Sequence, residues 1–139
     1  MIYYAVIDTN VLVSALINRG SVPGDVIEES LRGRIIPLLN DAIVAEYCDV
    51  LHRRKFRFDP GAVDDLINDL IRRGVYLDAA ITDELLPDPK DAVFYEVVME
   101  ARGQRDKSES YLVTGNIRHF PVKRYIVTPR QMLDIISSD

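Results

Sequence analysis

Apolar and polar positions follow one another in short blocks along this chain, and the period changes from block to block. Ile2–Ile7 is a continuous apolar run that ends abruptly on Asp8, the pattern of a strand buried on both faces. A helix is expected from about Val11 to Ile17, with Thr9 or Asn10 able to cap its exposed amides. Pro23 opens a second helix to Leu31, with Gly33 near its end. Ile35–Leu39 is again a short apolar run, and Asn40 or Asp41 caps a helix through about Arg53. Asp59-Pro60 sets a cap beside a proline at the first helical position, and Val63, Leu66, Ile67, Leu70 and Ile71 follow at helical spacing until Gly74. Val75–Leu77 reads as a brief strand. Asp88-Pro89 repeats the cap-proline signature and starts a helix to about Ala101, with Val93, Phe94, Val97, Val98 and Ala101 on one face. Tyr111–Val113 and Tyr125–Val127 are the last strands, and Thr128-Pro129 begins a terminal helix through Ile136.

Strands alternating with helices predict an α/β fold: a three-layer α/β/α sandwich of about five parallel strands with helices on both faces. No linker, repeat or low-complexity tract interrupts residues 1–139, so one domain is expected. In such a sheet every loop after a strand, and the start of the next helix, lies at the carboxyl edge. Asp8 ends the first strand, Glu46 sits early in the helix after the second, Asp91 is in the first turn of the helix after the third, and Asn116 follows the fourth. If the strands bearing Asp8 and Asn116 are neighbours where strand order reverses, these four side chains converge in the crevice where open α/β sheets bind ligands.

Each residue also has a local reading. Asp8 can be a turn or capping residue. Asp91, three residues after Asp88, can complete a capping box. Asn116 after Thr114-Gly115 can be a left-handed turn residue. Glu46 is harder to explain locally, because Ile43, Val44, Tyr47, Val50 and Leu51 put it at the margin of an apolar face, where a carboxylate needs a partner or a metal.

Three carboxylates and an amide oxygen suit the hard ions Mg²⁺ and Mn²⁺, and a site of that kind hydrolyses phosphodiesters. The two histidines, His52 and His119, stand apart and there is one cysteine, so no zinc cluster is expected. Neither a phosphate-binding G-x-x-x-x-G-K-[ST] loop nor a G-x-S-x-G elbow occurs. The net charge of −5 argues against tight non-specific binding to duplex DNA. Bound divalent metal would offset part of that charge, and the cations are clustered: Arg53, Arg54 and Lys55, then Arg118 and Lys123, are candidates to guide a nucleic-acid backbone. Cys48, in an amphipathic segment, reads as a packed thiol. A lone cysteine, no membrane-length apolar run and no basic leader imply a soluble cytoplasmic protein with no membrane partner.

Several strings of this sequence, in this order, resemble the PIN domain. They are Val6-Ile7-Asp8-Thr9-Asn10-Val11; Ala45-Glu46-Tyr47 leading to Leu51-His52-Arg53-Arg54-Lys55-Phe56; Asp88-Pro89-Lys90-Asp91; and Tyr111-Leu112-Val113-Thr114-Gly115-Asn116 with His119-Phe120. More narrowly, they are similar to the bacterial group assigned as toxin components of toxin–antitoxin systems. The resemblance implies a Mg²⁺- or Mn²⁺-dependent ribonuclease, often a homodimer, with an RNA substrate and an antitoxin protein as partner. Its acidic positions fall on Asp8, Glu46 and Asp91. The fourth, an aspartate in many members, is Asn116 here, and Ser110 stands where related sequences often have Asp. Asn10 and Thr114 match polar positions behind the ligands. An amide oxygen ligates without adding charge, which implies weaker metal binding or a single tightly held ion.

Two other readings compete. Phosphatases with an aspartate nucleophile resemble D-x-D-x-T, but the second position here is Asn10, which cannot serve as a general acid. A non-catalytic domain that binds RNA or protein would use the same acids as structural caps. The discriminator is whether Asp8 and Asp91 serve metal binding or stability alone.

Overall fold

The computed structural model describes residues 1–138. Five strands among them form one parallel sheet: β1 (Tyr3–Ile7), β2 (Ile35–Leu39), β3 (Val75–Tyr76), β4 (Tyr111–Val113) and β5 (Ile126–Val127), in the order β3-β2-β1-β4-β5. The expected α/β architecture is therefore present. β1 is central because it can be: Ala5, Val6 and Ile7 have no exposed surface, and a strand covered on both faces has no place for polar side chains. From β1 the chain moves outward through β2 to β3, then resumes on the other side with β4 and β5. Strand order thus reverses between β1 and β4. Their register pairs Ile7 with Val113, so Asp8 and Thr114 are the next residues out on adjacent strands.

β2 tolerates Pro37 because β3 pairs only with Leu38 and Leu39, beyond the residue that has no N–H to give. That also explains why β3 is so short.

The helices are α1 (Thr9–Ile17), α2 (Val22–Leu31), α3 (Asp41–Leu51), α4 (Pro60–Arg73), α5 (Ala92–Arg102) and α6 (Pro129–Ser137). α2 packs against α1, α4 and α6, whereas α5 lies across β1, β2 and β4. Crossovers from β1 to β2 and β2 to β3 run one way across the sheet and that from β3 to β4 runs back, so right-handedness puts their helices on opposite faces. α3 meets α1 and α4 as well as α5. Leu12, Ile27, Ile35, Leu38, Phe94 and Val97 are among the buried side chains of the core, each contributing about 1.5–3 kcal/mol of hydrophobic stabilisation if aliphatic or phenyl.

Ser21, Asn40, Asp59 and Thr128 cap α2, α3, α4 and α6 through their side chains. The expected caps therefore hold at Asn40, Asp59 and Thr128. Four local expectations need correcting. The cap position of α1 is Asp8 itself, not Thr9 or Asn10, and its carboxylate makes no bond to the helix amides. Asp88 caps the N–H of Lys90, and Pro89–Asp91 is a 3-10 turn that precedes α5, so no Asp88–Asp91 capping box forms. Cys48 is exposed rather than packed. Ile43, Tyr47 and Leu51 form the buried stripe of α3, and Cys48 lies about 100° further round the helix than Tyr47. Asn116 has φ −119°, so it is not left-handed. Among the described residues, no helix is long and apolar enough to cross a membrane.

Candidate metal centre

The centre is built outward from the end of β1. Asp8 follows three fully buried residues and is itself only 5% exposed. Its backbone N–H donates to Val113 O at 2.9 Å, tying it to β4. Thr114, fully buried, donates its hydroxyl to Asp8 Oδ2 at 2.8 Å. Asn10 Nδ2 reaches the same oxygen at 3.3 Å, and Asn10 Oδ1 accepts from the Gly115 N–H at 2.9 Å. Thr114 Oγ1 in turn accepts from the Asn116 N–H at 3.0 Å. These bonds cross the switch point in both directions. Glycine suits position 115, because a Cβ there would stand 3.2 Å from Asn10 Oδ1.

Burial pushes the Asp8 carboxyl up to about 6. The Thr114 hydroxyl opposes that rise, the charge of Asp91 adds to it, and the nearby N–H groups of Asn10 and Thr9, outside capping geometry, pull it down. Asp91 is raised too, first by burial, with the His119 hydrogen bond opposing and Asp88 adding. Its Oδ2 lies 3.0 Å from His119 Nδ1. Asp8 and Asp91 therefore share a field, and neither forms an ion pair with a lysine or arginine among the described residues.

Glu46 comes from another direction. Its neighbour Tyr47 donates a hydroxyl hydrogen bond to Ile7 O at 2.5 Å, which pins α3 to the strand end that delivers Asp8. Burial and then the Asp8 charge drive the Tyr47 phenol well above its ordinary range, keeping it a donor. Glu46 is half-buried and makes no hydrogen bond or ion pair among the described residues. Asn116 is exposed, and only its backbone joins the network. No three His, Cys, Asp or Glu side chains among the described residues stand close enough together to hold a metal ion. The structure thus brings Asp8 and Asp91 under mutual influence, with Asn10 and Thr114 behind Asp8, and does not close Glu46 and Asn116 onto them.

The donor chemistry fits a hydrated divalent ion. Mg²⁺ is commonly held by one or two carboxylates, keeps several waters and takes further oxygens from phosphate. Two carboxylates of raised proton affinity, neither paired with a lysine or arginine among the described residues, would be stabilised by such an ion.

His119 and Tyr47 are the contributors that sequence reasoning passed over. Tyr47 reads as simple core, and the separation of 28 positions from Asp91 to His119 hides their contact. The available signal is topological: Tyr47 lies in the helix that follows β2 and His119 in the turn that follows β4, both reached from the carboxyl edge. A cleft of about 310 Å³ lined by Gly115, Asn116, Ile117, Arg118 and His119 adjoins the centre. A larger cavity of about 480 Å³, with Tyr3, Tyr4, Lys107 and Tyr111 in its lining, lies toward the amino end of β1 and contains none of the candidate residues. Of the candidate cations, Arg118 lines the cleft, and Lys123 is exposed just before β5. Arg53 pairs with Asp49 at 2.9 Å. Arg54 and Lys55 occupy a 3-10 turn after α3, one helix length, about 16 Å, from the end of β2.

The family profile of the PIN domain matches residues 4–118. The chain belongs to the PIN domain family. PIN domains are generally nucleases and generally bind divalent metals. The crystal structure of PAE2754 from Pyrobaculum aerophilum superposes on this PIN domain with a TM-score of 0.57 at 16% identity, covering 99% of this chain and 91% of that one. At that identity the likeness speaks for the fold. No curated protein matches the chain. The matched segment of the PIN domain contains Asp8, Glu46, Asp91 and Asn116, and His119 lies one residue beyond it.

Proposed function

We propose that this PIN domain is a Mg²⁺- or Mn²⁺-dependent endoribonuclease, folded as a single domain. The observation that carries this reading is the buried Asp8 carboxylate at the switch point, bonded by Thr114 and Asn10 and raised in proton affinity by burial and the charge of Asp91, with no lysine or arginine paired to either acid among the described residues. Asp8 and Asp91 hold the ion. Glu46 and Asn116 face it through water or close on it when substrate arrives, and Thr114 and Asn10 keep Asp8 oriented. A bound divalent ion supplies neutralisation of the phosphodiester and activation of water for attack. Arg118 and Lys123 receive the RNA backbone, with Arg53, Arg54 and Lys55 extending the contact. Within this reading the protein is a cytoplasmic toxin that acts as a homodimer and is restrained by an antitoxin protein.

The absence of a three-acid cluster among the described residues favours one alternative, a domain that binds RNA or protein without cutting. A single experiment separates the two. Wild type, Asp8→Ala and Asp91→Ala are incubated with structured RNA with and without Mn²⁺, and Mn²⁺ binding is titrated calorimetrically. The nuclease reading expects Mn²⁺-dependent cleavage that falls at least about a hundredfold in both variants, with matching loss of Mn²⁺ affinity, since even outer partners of metal ligands are worth about 10–100-fold. RNA binding without cleavage, unchanged by either substitution, assigns the acids to structure.

A further inference from the structure

We propose that His119 is the positioning residue of the metal centre: it holds Oδ2 of Asp91 so that Oδ1 is presented to the ion. The inference rests on the metal-dependent reading above. Asp91 ends the 3-10 turn that runs into α5, in helical backbone geometry, and its side chain makes no bond to the helix amides. Its side chain turns instead to an imidazole 28 residues later, with Oδ2 and Nδ1 3.0 Å apart. Asp91 Oδ1 has no hydrogen-bond partner among the described residues.

His119 is well placed to serve as a fixed point. It ends the 3-10 turn Ile117–His119, and its N–H donates to Asn116 O at 2.9 Å. The next residue, Phe120, is 5% exposed and anchors the turn in the core. The same stretch of chain, from Thr114 to His119, therefore holds both acids: Thr114 bonds Asp8 Oδ2, and His119 bonds Asp91 Oδ2. An ionised carboxylate only accepts, so the shared hydrogen sits on Nδ1. Hydrogen-bonded carboxylates and imidazoles behind metal ligands fix ligand orientation, and their loss weakens metal binding about 10–100-fold. The other available role, tying the turn to the start of α5 for stability alone, would leave metal affinity untouched.

The test combines Mn²⁺ titration with ¹⁵N spectra of the ring at a pH where the imidazole is neutral. His119→Ala should weaken Mn²⁺ binding about 10–100-fold, and His119→Asn, whose amide N–H replaces the Nδ1 donor, should recover most of it. Metal-free wild type should show the Nδ1–H tautomer of His119, and Asp91→Ala should shift it toward Nε2–H. Mn²⁺ affinity equal in wild type and His119→Ala, or no recovery in His119→Asn, overturns the positioning role. Should His119→Ala fail to fold, the spectra decide: a wild-type ring protonated mainly at Nε2 overturns it. The two failures are separable. A wild type that binds no Mn²⁺ sinks the metal site and the positioning role together, whereas one that binds it no better than His119→Ala sinks the positioning role alone.

Discussion

Asp8 and Glu46 both bring a carboxylate to the carboxyl edge, but the chain holds them by different means. Asp8 is delivered by a central strand, buried, and bonded to Thr114 and Asn10. Its place is set by the β1–β4 register, and moving it would break backbone pairing. Glu46 is delivered by the second turn of α3 and Asn116 by an exposed turn, and neither side chain has a partner among the described residues. The inner part of the edge is thus rigid and carries the cost of a buried charge. The outer part is cheap to hold and free to adjust to an ion or a phosphate. Under the proposed metal-dependent reading, a site divided in this way would keep one ligand fixed and let the remaining groups follow the substrate.

The largest effect that can break this contrast is Asp8→Asn. Burial lifts the folded-state value of Asp8 from 3.8 to about 6, and each unit corresponds to about 1.4 kcal/mol. A raised folded value means that the folded state holds the proton more tightly than the unfolded chain. The resulting stability is complete below about pH 4 and lost as pH rises through about 6. Above that, ionised Asp8 destabilises the metal-free protein by about 3 kcal/mol. Asp8→Asn should therefore be more stable than wild type at neutral pH by up to that amount, with the difference shrinking toward pH 4. Mn²⁺ should stabilise wild type and leave Asp8→Asn unmoved. Urea unfolding at several pH values, with and without Mn²⁺, measures this. A pH-independent difference would mean that Asp8 is not the buried charge described here.

The legible and illegible parts of the sequence follow the same division. β1 and β4 were readable because Ala5–Ile7 and Tyr111–Val113 are apolar runs bounded by polar residues, and burial on both faces leaves few other ways to place them. The convergence of Asp8 and Asn116 on one edge depends on their strands being neighbours where strand order reverses, as β1 and β4 are. That order was not itself in the pattern, because hydrophobic runs do not name their partners. The outer elements misled for local reasons. Asp88-Pro89 signals a helix start in either geometry, and a cap-proline pair does not distinguish a 3-10 turn from an α-helical one. Cys48 fell one position beyond the buried stripe of α3. The bond between Asp91 and His119 spans 28 residues, beyond the reach of any periodicity.

A smaller effect sharpens the comparison at the joint between its two parts. Among the described residues, the Tyr47 hydroxyl makes the one hydrogen bond that ties the helix bearing Glu46 to the strand that leads into Asp8. Tyr47→Phe keeps the ring and its packing on Phe94 and leaves Ile7 O without that donor. The expected loss is about 1–2 kcal/mol of stability, together with a weaker contribution of Glu46 to Mn²⁺ binding. A double-mutant cycle of Tyr47→Phe with Glu46→Gln, read by Mn²⁺ titration, tests this. Full additivity would mean that Tyr47 stabilises α3 without positioning Glu46.

The smallest effect on stability is expected at Asn116, and there the outer part of the edge can be tested almost in isolation. Asn116 is exposed, its φ of −119° suits any residue, and its backbone N–H, not its side chain, makes the bond to Thr114. Asn116→Asp should therefore change stability by less than about 0.5 kcal/mol. Its effect on metal binding should be larger. A carboxylate about 6 Å from a divalent ion in a water-like surrounding attracts it by about 1.4 kcal/mol before salt screening, so Mn²⁺ affinity should rise by up to about tenfold at low salt. The same charge added beside Asp8 and Asp91 raises their proton affinity further in the metal-free protein, so the gain should be greatest at neutral pH and above. Calorimetric titration and thermal unfolding on the same variant separate the two quantities. Unchanged Mn²⁺ affinity in both Asn116→Asp and Asn116→Ala would remove Asn116 from the site and leave Asp8 and Asp91, with Glu46 still to be placed, as its only charged ligands.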